Sequence, residues 1–133
     1  MAPGRRRGPP PRHKLSACIR SGVPFPGEAE LTSRLLYELL PVTLRNPTAC
    51  SRQHKFVAEQ ASLYQQILEA GQEAGEFQLV ADSGLLARNS VALEDGYGTD
   101  VLSEAATADE VAERLLHHAR LITHVDDRAP QAG

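Results

Sequence analysis

From Glu28 onward the large aliphatic residues recur every three or four positions, and no stretch alternates apolar with polar residues as a half-buried strand does. Leu35, Leu39 and Val42 form one helical stripe, and Leu36, Leu40 and Leu44 form a second beside it. A first helix is expected over about 28–45, buried on a wide face, kinked at Pro41 and stopped at Asn46-Pro47. A second and longest helix is expected over about 51–74, carrying Val57, Ala61, Tyr64, Leu68 and Gly71 on one line. Gly75 suits the left-handed position past its end, with Phe77 folding back over the last turn. The third helix opens at Asp82-Ser83, both good N-caps, and contains Gly96 and Gly98. The fourth opens with the capping sequence Thr107-Ala108-Asp109-Glu110 and carries Val111, Leu115, His118, Ile122 and Val125. Aromatic residues make up 5% of the chain and Trp is absent, which weighs against a β-sandwich or barrel. The expected class is all-α, a four-helix bundle-like domain over 28–126.

Charge divides the chain unevenly. Six of the 14 basic residues and none of the 17 acidic ones fall in residues 1–27, together with Pro3, Pro9, Pro10, Pro11, Pro24 and Pro26. That composition reads as a disordered basic tail, and residues 127–133 read as a frayed C-terminal end. As a nucleic-acid arm the tail offers only Phe25 for base stacking, and nothing in it reads bases. Cys18 and Cys50 lie far apart without metal-ligand or disulfide spacing, which fits a reducing, cytoplasmic setting. No apolar run is long enough for a membrane span, so no membrane association is expected.

Chemistry-bearing constellations are sparse. Glu110, Glu113, His117 and His124 fall near one face of the last helix, yet neither glutamate has a histidine three residues on, as di-iron bundles require. No metal site is assigned. Cys50 with His54 has no orienting third group, and Gly71 to Gly75 lacks the lysine of a phosphate loop. No catalytic residue and no cofactor is assigned, and no enzymatic activity is expected.

Three segments arrive in order. Leu44-Arg45-Asn46-Pro47 ends the first helix; Ile67-Leu68-Glu69-Ala70-Gly71-Gln72-Glu73-Ala74-Gly75-Glu76-Phe77 closes the second; Ala92-Leu93-Glu94-Asp95-Gly96-Tyr97-Gly98 precedes the final capped helix. Over about residues 31–125 the chain resembles the C-terminal, effector-binding and dimerisation domain of TetR-family transcriptional regulators. The resemblance implies a cavity between the first three helices for a small apolar effector, with Tyr37, Leu40, Phe56, Tyr64 and Asn89 as lining candidates. It also implies a homodimer, or a heterodimer with an intact family member, through the last two helices. Ala92 and Gly96 on one, and Leu115, His118 and Ile122 on the other, are the candidate contacts. The family's helix-turn-helix cannot be built from residues 1–30, so the expectation is a truncated regulator with foreign sequence joined at about Pro26. It is not expected to bind an operator alone. The alternative is a free-standing helical interaction or ligand-binding protein without a regulatory role.

Overall fold

The computed structural model describes residues 8–125. These form α1 (Pro11–Ser21), α2 (Glu28–Arg45), α3 (Pro47–Glu73), α4 (Ser83–Leu102) and α5 (Ala108–Thr123), with no strand among the described residues. The long α3 is the axis, packing against α1, α2 and α4, while α5 closes the other side against α1 and α4. The expected frayed end lies outside the described residues.

The first correction concerns the N-terminal stretch. Residues 11–21 are helical, and Leu15, Ile19 and Val23 are among the most buried side chains of the domain. Proline density misled here because of where the prolines sit. Pro11 occupies the first helical turn, where its missing N–H costs nothing and its fixed φ favours the start. Pro24 and Pro26 fall beyond the helix, in the connection to α2. Only Leu15 and Ile19 are buried within α1, one turn apart, and Arg12, Lys14 and Arg20 remain exposed.

The second correction concerns α2. It runs through Pro41 to Arg45 as one helix, yet none of its residues is buried. Leu35, Leu36, Leu39, Val42 and Leu44 are all exposed, because α2 lies at the edge of the domain and packs chiefly on α3 and α4. The half-buried positions are Glu30, Ser33, Arg34, Tyr37, Leu40 and Thr43, centred on the side opposite Leu35, Leu39 and Val42.

The remaining elements follow their local chemistry. Asn46 caps α3, its side-chain oxygen accepting from the N–H groups of Thr48 (3.0 Å) and Ala49 (3.1 Å), and Pro47 begins the helix four residues earlier than expected. Gly75 takes φ 73°, and the N–H groups of Glu76 and Phe77 return to the carbonyl of Gly71 at 2.9 and 3.0 Å. Asp82 accepts from Leu85 N–H and Thr107 from Glu110 N–H, each at 3.1 Å. Gln78 and Val80 donate to the last carbonyls of α5, at Thr123 (2.9 Å) and Ile122 (3.1 Å), so that helix end is also satisfied.

Candidate functional site

The inner stripe of α4 reads Ala87, Val91, Glu94, Gly98, at the spacing of one helix face. Glu94 therefore enters the domain among apolar neighbours, at the point where α1, α2, α3 and α4 meet. Its carboxylate accepts a hydrogen bond from the Tyr64 hydroxyl of α3 at 2.6 Å. On another side it lies directly against Gly22 at the end of α1, where any side chain would collide with it. Tyr37 reaches down from α2 and donates to the backbone carbonyl of Asp95 at 2.5 Å. The Cys18 thiol of α1 completes the junction beside Tyr64 and Glu94.

Electrostatics follow from this enclosure. Burial, reinforced by the neighbouring Asp95, raises the Glu94 carboxyl, while the Tyr64 hydrogen bond works the other way. Burial and the Glu94 charge push both tyrosines up, Tyr64 far more than Tyr37, whose closest acid is Asp95. Burial and Glu94 also raise the Cys18 thiol, so it is held as an unreactive thiol and not as a nucleophile. The junction brings two phenols, one carboxyl and one thiol together between helices.

Because folding raises the pKa of Glu94, its protonated form favours the folded state. That contribution is complete below the unfolded pKa and is lost as pH rises through the folded one. Glu94→Gln keeps an oxygen for the Tyr64 hydroxyl and removes the charge. Its melting temperature should exceed that of the parent at about pH 7.5 and converge with it at about pH 4. An advantage that is flat across this range would place the cause outside the ionisation of Glu94.

Of the expected effector residues, Tyr37 and Tyr64 meet at this junction and Leu40 is half-buried beneath α2. Phe56 is 51% exposed, and Asn89 lies on the outer face of α4. Neither joins the others. Glu94 and Cys18 were not singled out from sequence. Glu94 was findable, since it continues the Ala87–Val91 stripe, whereas Cys18 needed α1 to be recognised as a helix.

The expected dimer face is also revised. Leu115 and Ile122 are buried within the chain, and His118 is half-buried, all three lining a void of about 10 Å³ with Leu15, Ile19 and Tyr64. α1 covers the side of α5 that was read as open, and burial lowers the pKa of His118. Ala92 and Gly96 are exposed, on a line with Leu85, Asn89 and Thr99 along α4. A side chain at Gly96 would meet nothing, whereas Gly98 is small because the Tyr37 hydroxyl passes 3.4 Å from where its Cβ would be.

An open cleft of about 390 Å³ lies between the α1–α2 connection and the α4–α5 turn, bounded by Pro24, Pro26, Glu30, Ala106 and Glu110. None of the expected effector residues borders it. Among the described residues no three histidine, cysteine or acidic side chains converge as metal ligands, and no helix is long and apolar enough to cross a membrane.

The described domain is all-helical, built on a long central helix, with Tyr37, Tyr64 and Glu94 at a junction between helices. The chain belongs to the TetR family of transcriptional regulators: the family model for the C-terminal part of BetI-type transcriptional repressors matches residues 11–124. Comparison with curated proteins and with solved structures finds no match. The matched segment takes in all five helices, α1 included, so family sequence begins well before the expected join at Pro26.

Proposed function

We propose that this domain senses a small, largely apolar molecule and dimerises, acting on transcription through an intact family member paired with it. The enclosed junction of Tyr37, Tyr64 and Glu94 carries this reading. An otherwise apolar site needs only a few fixed polar groups to orient its ligand, and these three converge where four helices meet. Leu40, half-buried one turn beyond Tyr37 on α2, is the apolar residue of that helix nearest to it in sequence on the same side. α2 buries no residue of its own, which makes it the wall most easily displaced to admit a ligand. Glu94 adds a preference for effectors that present a hydrogen-bond donor at one end.

The exposed line of Ala92 and Gly96 on α4, flanked by Asn89, supports pairing with a like helix, since small residues let helix axes approach closely. All five described helices lie in the regulatory match, and residues 28–133 hold 17 acidic against eight basic residues, a balance that repels phosphate.

Thermal-shift titration with a panel of apolar metabolites bearing one hydroxyl or amine tests the sensing function. A true effector at 100 times its dissociation constant should stabilise the domain by about 2.7 kcal/mol. Tyr64→Phe should weaken that response about tenfold by removing one oriented hydrogen bond. If no compound raises the melting temperature, the domain is not a sensor.

A further inference from the structure

The outward side of α1 is basic and carries no acid. Leu15 and Ile19 turn into the domain, and the opposite arc is His13, Lys14, Ala17, Arg20 and Ser21, all exposed. Arg12, at the edge of the buried side, is held by Glu76, which accepts its backbone N–H at 3.1 Å and lies 3.7 Å from its guanidinium. Among the described residues no acid comes within ion-pair distance of Lys14 or Arg20. The first turn, with Arg12, His13 and Lys14, contains no acid, although the helix dipole favours acids there and opposes cations. Local helix stability does not explain this composition.

The neighbouring surface continues it. Glu76 meets the start of α1, and two residues on Gln78 donates to Thr123 at 2.9 Å, so the start of α1 and the end of α5 share one end of the domain. From Arg114 to Val125 the chain carries Arg114, His117, His118, Arg120 and His124 and no acid. In the sequence Arg5, Arg6 and Arg7 stand just ahead of Gly8, and apart from Asp126 and Asp127 every acid of the chain lies between Glu28 and Glu113.

We propose that the outward face of α1, together with Arg5, Arg6 and Arg7, lies along the phosphate backbone of duplex DNA and holds it without reading its bases. The side chains on the arc select that occupant. A membrane-surface helix needs a broad face of large apolar residues, and a protein interface needs aromatic or aliphatic anchors. Ala17 is the only apolar residue on this arc. Lys14 and Arg20 are six residues apart, ~9 Å along the helix, and the small Ala17 and Ser21 between them let a strand approach closely. Five of the six cations in residues 1–27 are arginine, whose planar fork takes two phosphate oxygens at once. The acid-rich remainder repels phosphate, so the duplex is accepted from the α1 side alone. DNA is the phosphate polymer at which a member of a transcriptional-regulator family works. The contact depends neither on effector binding nor on pairing along α4.

Fluorescence anisotropy with the full chain and a labelled duplex of about 20 base pairs tests the proposal. With Arg5, Arg6, Arg7, Lys14 and Arg20 on phosphates, log affinity should fall against log salt with a slope of about −4.5, or about 500-fold between about 50 and 200 mM salt. Lys14→Gln/Arg20→Gln should make that slope shallower by about 1.8 for each bound chain, and Arg5→Gln/Arg6→Gln/Arg7→Gln by about 2.7. Lys14 and Arg20 are exposed, so the fold should survive, and a thermal melt checks that it does. A duplex of scrambled sequence should bind as well as the first. No binding at about 50 mM salt would overturn the proposal, as would a slope that Lys14→Gln/Arg20→Gln leaves unchanged in a variant melting with the parent. Tighter binding to an RNA duplex of the same sequence, or to phosphatidylserine vesicles, would also overturn it and give the face to those partners.

Discussion

Ile19→Asp is expected to leave no cooperatively folded domain at neutral pH. Ile19 is 4% exposed and lies with Leu15 against Tyr64, Leu115 and Ile122, so its replacement forces a carboxylate among aliphatic and aromatic groups, where His118 lines the same void and burial favours its neutral form. An unpaired buried charge costs several kcal/mol, and the lost aliphatic contacts add to it. Domains of this size hold only about 5–15 kcal/mol in total, so one such substitution removes most or all of it. Ile19→Val is the graded companion and should cost about 0.5–1.5 kcal/mol. Urea unfolding followed by circular dichroism reads both. Were residues 11–21 a solvated tail, the two variants would unfold with the parent.

That experiment bears on what could be read from the chain itself. Helix periodicity identified α2 to α5 because each carries several apolar positions in a row of turns, enough for the pattern to stand above chance. α1 carries Leu15 and Ile19 as its buried pair, embedded between Arg12, Lys14 and Arg20, and no 3.6-residue pattern emerges from two positions. Its burial is a tertiary fact: α3 and α5 provide the groove into which a weakly patterned segment packs. The same omission explains the misplaced dimer residues. Leu115, His118 and Ile122 form an apolar side of α5 that has to be covered, and with α1 taken as tail the only cover left was another subunit. In α2 the periodicity was real but its direction was not legible. A stripe of leucines reports that a face prefers to leave water, and says nothing about whether the cover comes from the same chain.

The junction was legible by halves. Tyr64 belongs to the apolar stripe of α3 and Tyr37 follows from the family resemblance, and the two reach Glu94 and the Asp95 carbonyl respectively. Phe56, a lining candidate implied by the resemblance, flanks the stripe of α3. It is exposed in the half of α3 that buries nothing: the buried residues of that helix, Tyr64, Ile67, Leu68 and Gly71, all lie in its second half. Asn89 lies two residues before the buried Val91, and on a helix that spacing turns it outward.

Gly71→Ala is expected to destabilise the domain by about 2–4 kcal/mol, although alanine in place of glycine ordinarily strengthens a helix by about 1 kcal/mol. The reason is Phe77. After the turn at Gly75 the chain folds back, and the ring packs against the last turn of α3, so close that a Cβ at Gly71 would overlap its Cδ2 and Cε2 atoms. Phe77 is 4% exposed and belongs to the central core, so it cannot step aside without giving up its own burial. The backbone has little slack either, since the Gly71 carbonyl holds the N–H groups of both Glu76 and Phe77. Steric exclusion therefore outweighs helix propensity at this position. Phe77→Ala alone should cost about 3–5 kcal/mol for the lost ring and the cavity it leaves. The decisive measurement is the double variant. With the ring gone, the alanine at 71 has room, its propensity gain returns, and Gly71→Ala/Phe77→Ala should be no less stable than Phe77→Ala by itself. Simple additivity of the two losses in urea unfolding would mean that Gly71 is constrained by something other than the ring.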